Sequence, residues 1–510
     1  MTQNPTRDQH DDAATNAVPT GPASGARMLA TAVEHLDPVM PMLTQLGELF
    51  AEAGHEIALV GGPVRDAFLA RTSPDLDFTT SARPDDTERI VAEWADATWD
   101  LGRAFGTIGV RKGDVQVEIT TYRADAYDRE TRKPVVEFGD SLDDDLVRRD
   151  FTVNAMALRL PDLTFVDPYG GLADMAAGVL RTPTDPEVSF GDDPLRMMRA
   201  ARFSSQLGFD VAPEAFTAMR EMAASIEMIS AERVREELVK LLLSPAPRRG
   251  LELLVESGIA EHVLPELPAL ALEIDEHHRH KDVYEHSLIV LEQAMALEGP
   301  RDVPGVEEPA EVDGPDLVLR LAALLHDIGK PDTRRFEPGG GVSFHHHELV
   351  GAKMTRKRLR ALRFDKETIK QVSRLVELHL RFHGYGNGEW TDSAVRRYVT
   401  DAGPLLPRLH LLTRADSTTR NKRKAARLQA TYDDLEARIE RLQAEEELAA
   451  VRPELDGNEI QAVLDIKPGP VLGRAYKHLL AVRLDEGVIG KDAAAERLRE
   501  WWAAQPESQS

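Results

Sequence analysis

A short apolar run, Ile57 to Val60, stops on Gly61-Gly62, and Pro63-Val64-Arg65-Asp66 continues in a pattern that suits a helix. This string predicts a strand, a tight turn and a helix N-terminus, because proline fits the first helical turn and glycine frees the turn before it. Gly61 and Gly62 lack the Cβ atoms that would keep a phosphate from backbone N–H groups, and the helix start adds partial positive charge. Arg65, one turn on, offers a planar fork of donors. Shortly after comes Asp75-Leu76-Asp77-Phe78, where the two-residue period of a strand sends both carboxylates to one face and turns Leu76 and Phe78 to a core. Such a pair suits Mg²⁺, and two ions sharing it can activate a hydroxyl and neutralise a leaving pyrophosphate.

In this order and spacing the two strings resemble the first motif of the polymerase β-like nucleotidyltransferases. Within that superfamily they are similar to the class II tRNA nucleotidyltransferases (CCA-adding enzymes) and the bacterial poly(A) polymerases. Two later strings extend the resemblance. Arg148-Arg149-Asp150-Phe151-Thr152-Val153-Asn154-Ala155-Met156-Ala157, read from its residues as an ion pair beside an apolar helix, resembles the family's RRDFTxNAMA motif. There the arginine adjoining the aspartate contacts the incoming nucleotide, a role that falls on Arg149.

Asp192-Asp193-Pro194-Leu195-Arg196 opens a helix with a cap and a proline in the first turn. Arg196, Arg199 and Arg202 recur at spacing three on one broad face, while Leu195, Met198 and Phe203 can pack. A basic stripe of this kind is usually solvated. The pair Asp193 and Arg196 resembles the EDxxR motif by which class II enzymes read the base of CTP or ATP, although Asp192 stands where the family commonly has Glu. An aspartate accepts from an exocyclic amino group and an arginine donates to ring nitrogens or a carbonyl, so C and A are accepted while U and G are not. Arg199 and Arg202 join the nucleotide-binding set.

At 510 residues the chain needs several cores. The expected architecture is an α/β polymerase β-like head followed by mostly helical neck and body, HD domain and tail. The head (27–184) follows a disordered tail (1–26) and takes the strand-like runs Ala58–Val60, Leu76–Thr79, Thr107–Val110, Val115–Thr121 and Thr164–Val166. Glu118 interrupts one of these apolar runs and is a candidate third catalytic acid, or an edge-strand glutamate facing water. Tyr122 to Asp145 reads as a mobile loop and hairpin. The neck and body (185–272) include an antiparallel helix pair, Glu232 to Leu243 and Arg248 to Ser257, that would bind an acceptor stem by shape and phosphate contacts. The tail (451–510) reads as helix, Gly/Pro turn, helix.

Histidines concentrate between His277 and His383. His286, then His326-Asp327 on an apolar helix, then Asp416 resemble the metal-binding set of the HD phosphohydrolase domain, here 273–450. His347 and His379 are offered for a second ion, and His277, His278 and His280 are read as solvated. Glu298 to Asp316, rich in Pro, Gly and acids, reads as an exposed flexible loop.

Composition narrows the partners. A formal net charge of −25 argues against a general nucleic-acid coat, yet Lys353 to Arg363 and Arg420 to Arg427 could each give a local basic face to a structured RNA. There is no cysteine, hence no disulfide or thiolate metal site, and no apolar run long enough for a bilayer, so a cytoplasmic protein is expected. The resemblance implies addition of C, C and A from CTP and ATP to the 3′ end of tRNA, with Mg²⁺ in the head and a divalent transition metal in the HD domain. Still open on sequence are a poly(A) polymerase, a C-only or A-only enzyme, a protein whose main work is HD phosphohydrolysis, and a nucleotide-sensing regulator with an inactive head. The sequence is silent on oligomeric state.

Overall fold

The computed structural model describes residues 22–72, 75–102, 106–126, 135–139, 141–271, 282–306, 311–338, 341–382, 385, 390–417, 422–446 and 452–505. The chain forms two compact units: one runs up to Ile229 and takes Arg249–Ile259, and the other takes Ser230–Arg248 and everything from Ala260.

The first unit is built on the strands β1 (Ile57–Val60), β2 (Leu76–Thr80), β3 (Ala97–Gly102), β4 (Thr107–Lys112), β5 (Val115–Thr121), β6 (Arg123–Ala126), β7 (Val135–Phe138), β8 (Ala157–Leu160) and β9 (Thr164–Val166). Seven of these form a mixed sheet in the order β3-β4-β5-β2-β1-β8-β9, and β6 and β7 make a separate hairpin. β2 and β5 run parallel, with Asp77 opposite Glu118; β1 runs antiparallel to both β2 and β8. β1 is buried at all four positions, which explains its unbroken apolar run: a central strand covered on both faces has no polar side to show.

β8 is a finding that the sequence reading missed, having taken this stretch as helix. Thr152–Asn154 instead makes one 3-10 turn, after which Ala157–Leu160 pairs with β1. Only Ala157 and Leu158 of these four residues are buried and Arg159 is exposed, so the run is too short to carry a period that tells helix from strand. The hairpin expected in Tyr122 to Asp145 is present as β6 and β7, and a helix Leu142–Val147 follows; residues 127–134 between the strands lie outside the described residues.

The second unit is helical. Val283–Ala296, Leu317–Leu325, His347–Ala361, Lys366–Leu378 and Leu406–Asp416 pack into one bundle, with the longer helix Lys422–Glu446 behind it. The tail helices Gly457–Leu464, Pro470–Glu486 and Lys491–Ala503 share a core around Ile460, Leu479 and Leu498. Among the described residues no helix is long and apolar enough to cross a membrane. The expected flexible loop from Glu298 to Asp316 is anchored at both ends. Glu298 binds Arg320 at 2.8 and 2.7 Å and accepts from the Asp316 amide, while Val303 and Val312 are buried. Two of the acids that suggested a solvated loop, Glu298 and Asp316, instead pair with Arg320 and Arg408.

One close approach fixes the bundle. A Cβ on Gly329 would lie 2.2 Å from the carbonyl oxygen of His347 and 2.6 Å from the amide nitrogen of Gly351, so only glycine lets the turn after Asp327 rest on the helix that starts at His347. Backbone cannot yield as a side chain does. Gly329→Ala is expected to destabilise the helical unit by about 1–3 kcal/mol, read as a lower thermal midpoint; an unchanged midpoint would refute the contact.

Candidate nucleotide and metal sites

At the turn after β1, Gly61 adopts φ +73 and ψ −127, which strains any residue with a side chain. A Cβ there would sit 2.7 Å from Nη1 of Arg149, so the glycine also makes room for that guanidinium. Arg149 donates from Nη2 to Asp145 at 2.9 Å, and its buried Nε has no hydrogen-bond partner among the described residues. Asp77 on β2 feels Arg149 too. Burial raises its pKa, Arg149 opposes the rise, and Asp75 adds to it.

Glu118 stands opposite Asp77 on the inner strand β5, so it is no edge residue. It is exposed. Its pKa is nonetheless raised, first by desolvation and then by Asp77 and Asp75. Three carboxylates that disfavour one another's charge form a donor set that a hard divalent cation satisfies. They are set wider than the clusters of the helical unit described below, since among the described residues the tight ligand groups all lie there.

Arg65 sits elsewhere than the sequence suggested. It is buried, donating from Nε to Asp66 at 2.9 Å and from Nη1 to Asn154 Oδ1 at 2.7 Å. Asn154 in turn donates to Asp150 Oδ1 at 2.9 Å, and Asp150 Oδ2 accepts from Arg199 Nε at 2.7 Å. The helix after the glycine turn is thus tied by an unbroken polar chain to the helix Leu195–Leu207. Burial would raise the Asp150 pKa, but Arg199, Asn154 and the Phe151 amide hold it far below the usual carboxylate range.

The arginine stripe is internal rather than solvated. Arg196 and Arg202 are buried and Arg199 is partly so, and the guanidiniums of Arg65, Arg199 and Arg202 lie 5.1, 5.4 and 3.9 Å from the centroid of Phe203. Spacing alone could not show that this face meets an aromatic ring and an aspartate instead of water. Arg196 donates from Nη1 to the carbonyl and hydroxyl of Ser189 and from Nη2 to the Arg148 carbonyl at 2.5 Å. Of its five N–H groups these bonds use three. Asp193 accepts from the Leu195 amide at 3.1 Å and is half-buried at the mouth of the same helix.

In the helical unit the structure gathers all six residues proposed from the HD resemblance. Ligand atoms of His286, His326 and Asp416 lie within 4.8 Å of one another, as do those of Asp327, His347 and His379. Asp327 faces both groups: Oδ2 is 3.2 Å from His326 Nε2, and Oδ1 is 3.2 Å from His347 Nε2. The Nδ1 atoms of His326, His347 and His379 each bond a backbone carbonyl at 2.7–2.8 Å, while their Nε2 atoms are buried without a hydrogen-bond partner. Rings held through Nδ1 with their Nε2 atoms turned inward suit a metal. Without one, burial would lower the pKa of His326, yet Asp327 and Asp416 outweigh it and raise it to about 10. Burial would raise Asp327, yet His326, His347 and Lys330 outweigh it and keep the carboxylate ionised; burial pushes His379 down to about 4, so it stays neutral. Lys330, missed in the sequence, donates to Asp327 Oδ2 at 2.6 Å. Asp150 and Asn154 were missed as well, although they stand inside a motif from which only Arg149 was carried.

A glycine turn, a face of carboxylates and an arginine-rich helix joined through Asp150 define a nucleotidyltransferase head, accompanied by a second, histidine-rich centre. The chain matches the family described as "Poly A polymerase head domain" over residues 57–181, "Probable RNA and SrmB- binding site of polymerase A" over 208–270, and "HD domain" over 283–421. It is 34% identical over 458 residues to an A-adding tRNA nucleotidyltransferase of Deinococcus radiodurans, covering 88% of this chain and 95% of the relative. A CCA-adding enzyme of Levilactobacillus brevis is 38% identical over 231 residues, 45% of this chain and 57% of that relative. In fold, the chain is similar to the CCA-adding enzyme of Bacillus stearothermophilus solved in complex with CTP, with a TM-score of 0.63 at 23% identity over 92% of this chain and 97% of that one. The chain belongs to the tRNA nucleotidyltransferase family, whose head calls for a divalent metal ion.

The depressed pKa of Asp150 carries a sign. Its ion pair stabilises fully above the ordinary aspartate range, about pH 4, and that stabilisation is lost as pH falls toward the depressed value. Asp150→Asn should cost about 3 kcal/mol at neutral pH and flatten the acid limb of the stability profile. Thermal unfolding across the acid range tests this; a variant with the parent's acid limb would remove Asp150 from the account.

Proposed function

We propose that the chain extends the 3′ end of tRNA, adding C, C and A from CTP and ATP in the cytoplasm. The observation that carries this reading is the placement of Asp77 and Glu118 on paired strands beside the Gly61 turn and Arg149. Asp75 and Asp77 would hold Mg²⁺, which activates the RNA hydroxyl and neutralises the pyrophosphate when bound. The 3′ hydroxyl attacks the α-phosphate and pyrophosphate leaves. The amides after Gly61 and the unpartnered Nε side of Arg149 take the triphosphate, while Arg65 acts one step back by fixing Asn154. Glu118 adds a third carboxylate to that face.

Base choice falls to Asp193 and to the N–H groups of Arg196 that Ser189 and Arg148 leave over. Arg199 and Arg202 serve by holding Asp150 and Phe203 rather than by touching nucleotide. A second reading, addition of A alone, is favoured by the relative that matches along nearly the whole chain, which is named A-adding. In the helical unit, the two ligand groups would hold two divalent transition ions and hydrolyse small phosphoesters, with His286, His326 and Asp416 on one ion, His347 and His379 on the other, and Asp327 between them.

Two transcripts separate the readings: one tRNA ending before the CCA sequence and one ending after its second C, each given CTP, ATP or both. Growth of the first by C, C and A supports the full reaction. Growth of only the second, by one A, supports the A-only reading, and an unlimited A tail on either overturns both. Asp77→Ala should reduce addition to background with the fold intact, and normal rates would remove the metal assignment. Arg196→Ala should lower discrimination against UTP and GTP on the order of tenfold, the effect of leaving a buried polar partner unpaired. Unaltered selectivity would move base reading elsewhere.

A further inference from the structure

The helix Lys422–Glu446 begins just past the HD match, which ends at residue 421, yet it closes the back of the histidine-rich centre. Tyr432 is one of its buried residues. The tyrosine hydroxyl donates to the Thr413 carbonyl at 2.8 Å and lies 2.6 Å from Ser417 Oγ, which is then the donor of that second bond because a phenol has one proton. Thr413 and Ser417 bracket Asp416, the last residue of its helix. Carbonyls in a last helical turn lack intrahelical donors, so a side chain that supplies one fixes where the helix ends.

The ring of the same residue has a second task. It stacks on Phe382 with centroids 4.0 Å apart and planes at 23°, and Phe382 closes the short helical turn that His379 opens. On its flank stands the guanidinium of Arg414, 5.3 Å from the ring centroid, held by Glu436, Asp433 and Gln429 of the long helix at 2.7, 2.8 and 2.9 Å. Asp416 belongs to one ligand group and His379 to the other. One side chain therefore touches the carriers of both.

We propose that Tyr432 is a positioning residue of this metal centre: its hydroxyl aims Asp416, its ring aims His379, and together they keep two ion subsites in register. The proposal rests on reading the two ligand groups as ion subsites. A residue that merely filled core would do so equally well as phenylalanine. An aiming residue would not, because ligand affinity depends on partners that hold the ligand's orientation.

The test is Mn²⁺ titration calorimetry on the full chain, stripped with chelator, with Asp75 and Asp77 replaced by alanine so that the head contributes no ions. Tyr432→Phe keeps the ring and loses the hydroxyl; it should weaken one subsite about 10–100-fold and leave the other within about twofold. Tyr432→Leu loses both contacts and should weaken both subsites. If Tyr432→Phe binds both ions as tightly as its parent, the proposal is overturned, whatever happens to the thermal midpoint. If the parent itself binds no Mn²⁺, the metal reading falls first and the proposal with it.

Discussion

A single buried carboxylate organises the head. Asp150 accepts from Arg199, from Asn154 and from its neighbouring amide, and through Asn154 it reaches Arg65 behind the glycine turn. Each member satisfies the next: a charge that burial would otherwise neutralise is kept by a cation, and a buried amide is kept by both. The helix after the Gly61 turn on one side and the helix Leu195–Leu207 on the other are thereby tied through one polar network. Arg196 adds a second tie, since it bonds the carbonyl of Arg148, the residue next to Arg149. The arginines of the helix Leu195–Leu207 matter first as struts.

Sequence made the chemistry of the site more legible than its mechanics. The strand, turn and helix around Gly61-Gly62 and the strand with Asp77 were readable because periodicity and glycine act locally. The HD ligands were readable as an ordered set, and the bundle brings together residues as distant in sequence as His286 and Asp416, 2.9 Å apart. What failed was anything that depends on a partner across the fold. Nothing local to Arg65 says that Asn154 will take its donors, and nothing in a three-residue spacing says that Phe203 will lie under the arginines. Glu118 was read as a catalytic acid or an edge-strand glutamate facing water; it is exposed but on an inner strand, because an inner strand can still show one face to solvent. β8 was lost because four residues, of which only Ala157 and Leu158 are buried, are too few for an alternation to read.

The helical unit shows a complementary logic. Its clustered histidines and aspartates come from five separate helices and the turns at their ends, so their placement depends on close approaches such as Gly329 against His347 and on buried ion pairs such as Arg320 with Glu298. Three histidines held by Nδ1 to backbone carbonyls turn their Nε2 atoms into a buried space, an arrangement that costs stability unless an ion completes it.

We propose that two chemically distinct centres share this chain, a carboxylate-lined head for nucleotide addition and a histidine-rich centre for ion-dependent hydrolysis. The most direct measurement is a pair of assays on the double variant His326→Ala/Asp327→Ala: nucleotide addition to tRNA, and hydrolysis of a small phosphodiester with Mn²⁺ or Ni²⁺. The account predicts that hydrolysis disappears while addition continues at the parent's rate. Parallel loss of both in a variant that remains folded, or a parent that hydrolyses nothing with either ion, would contradict it.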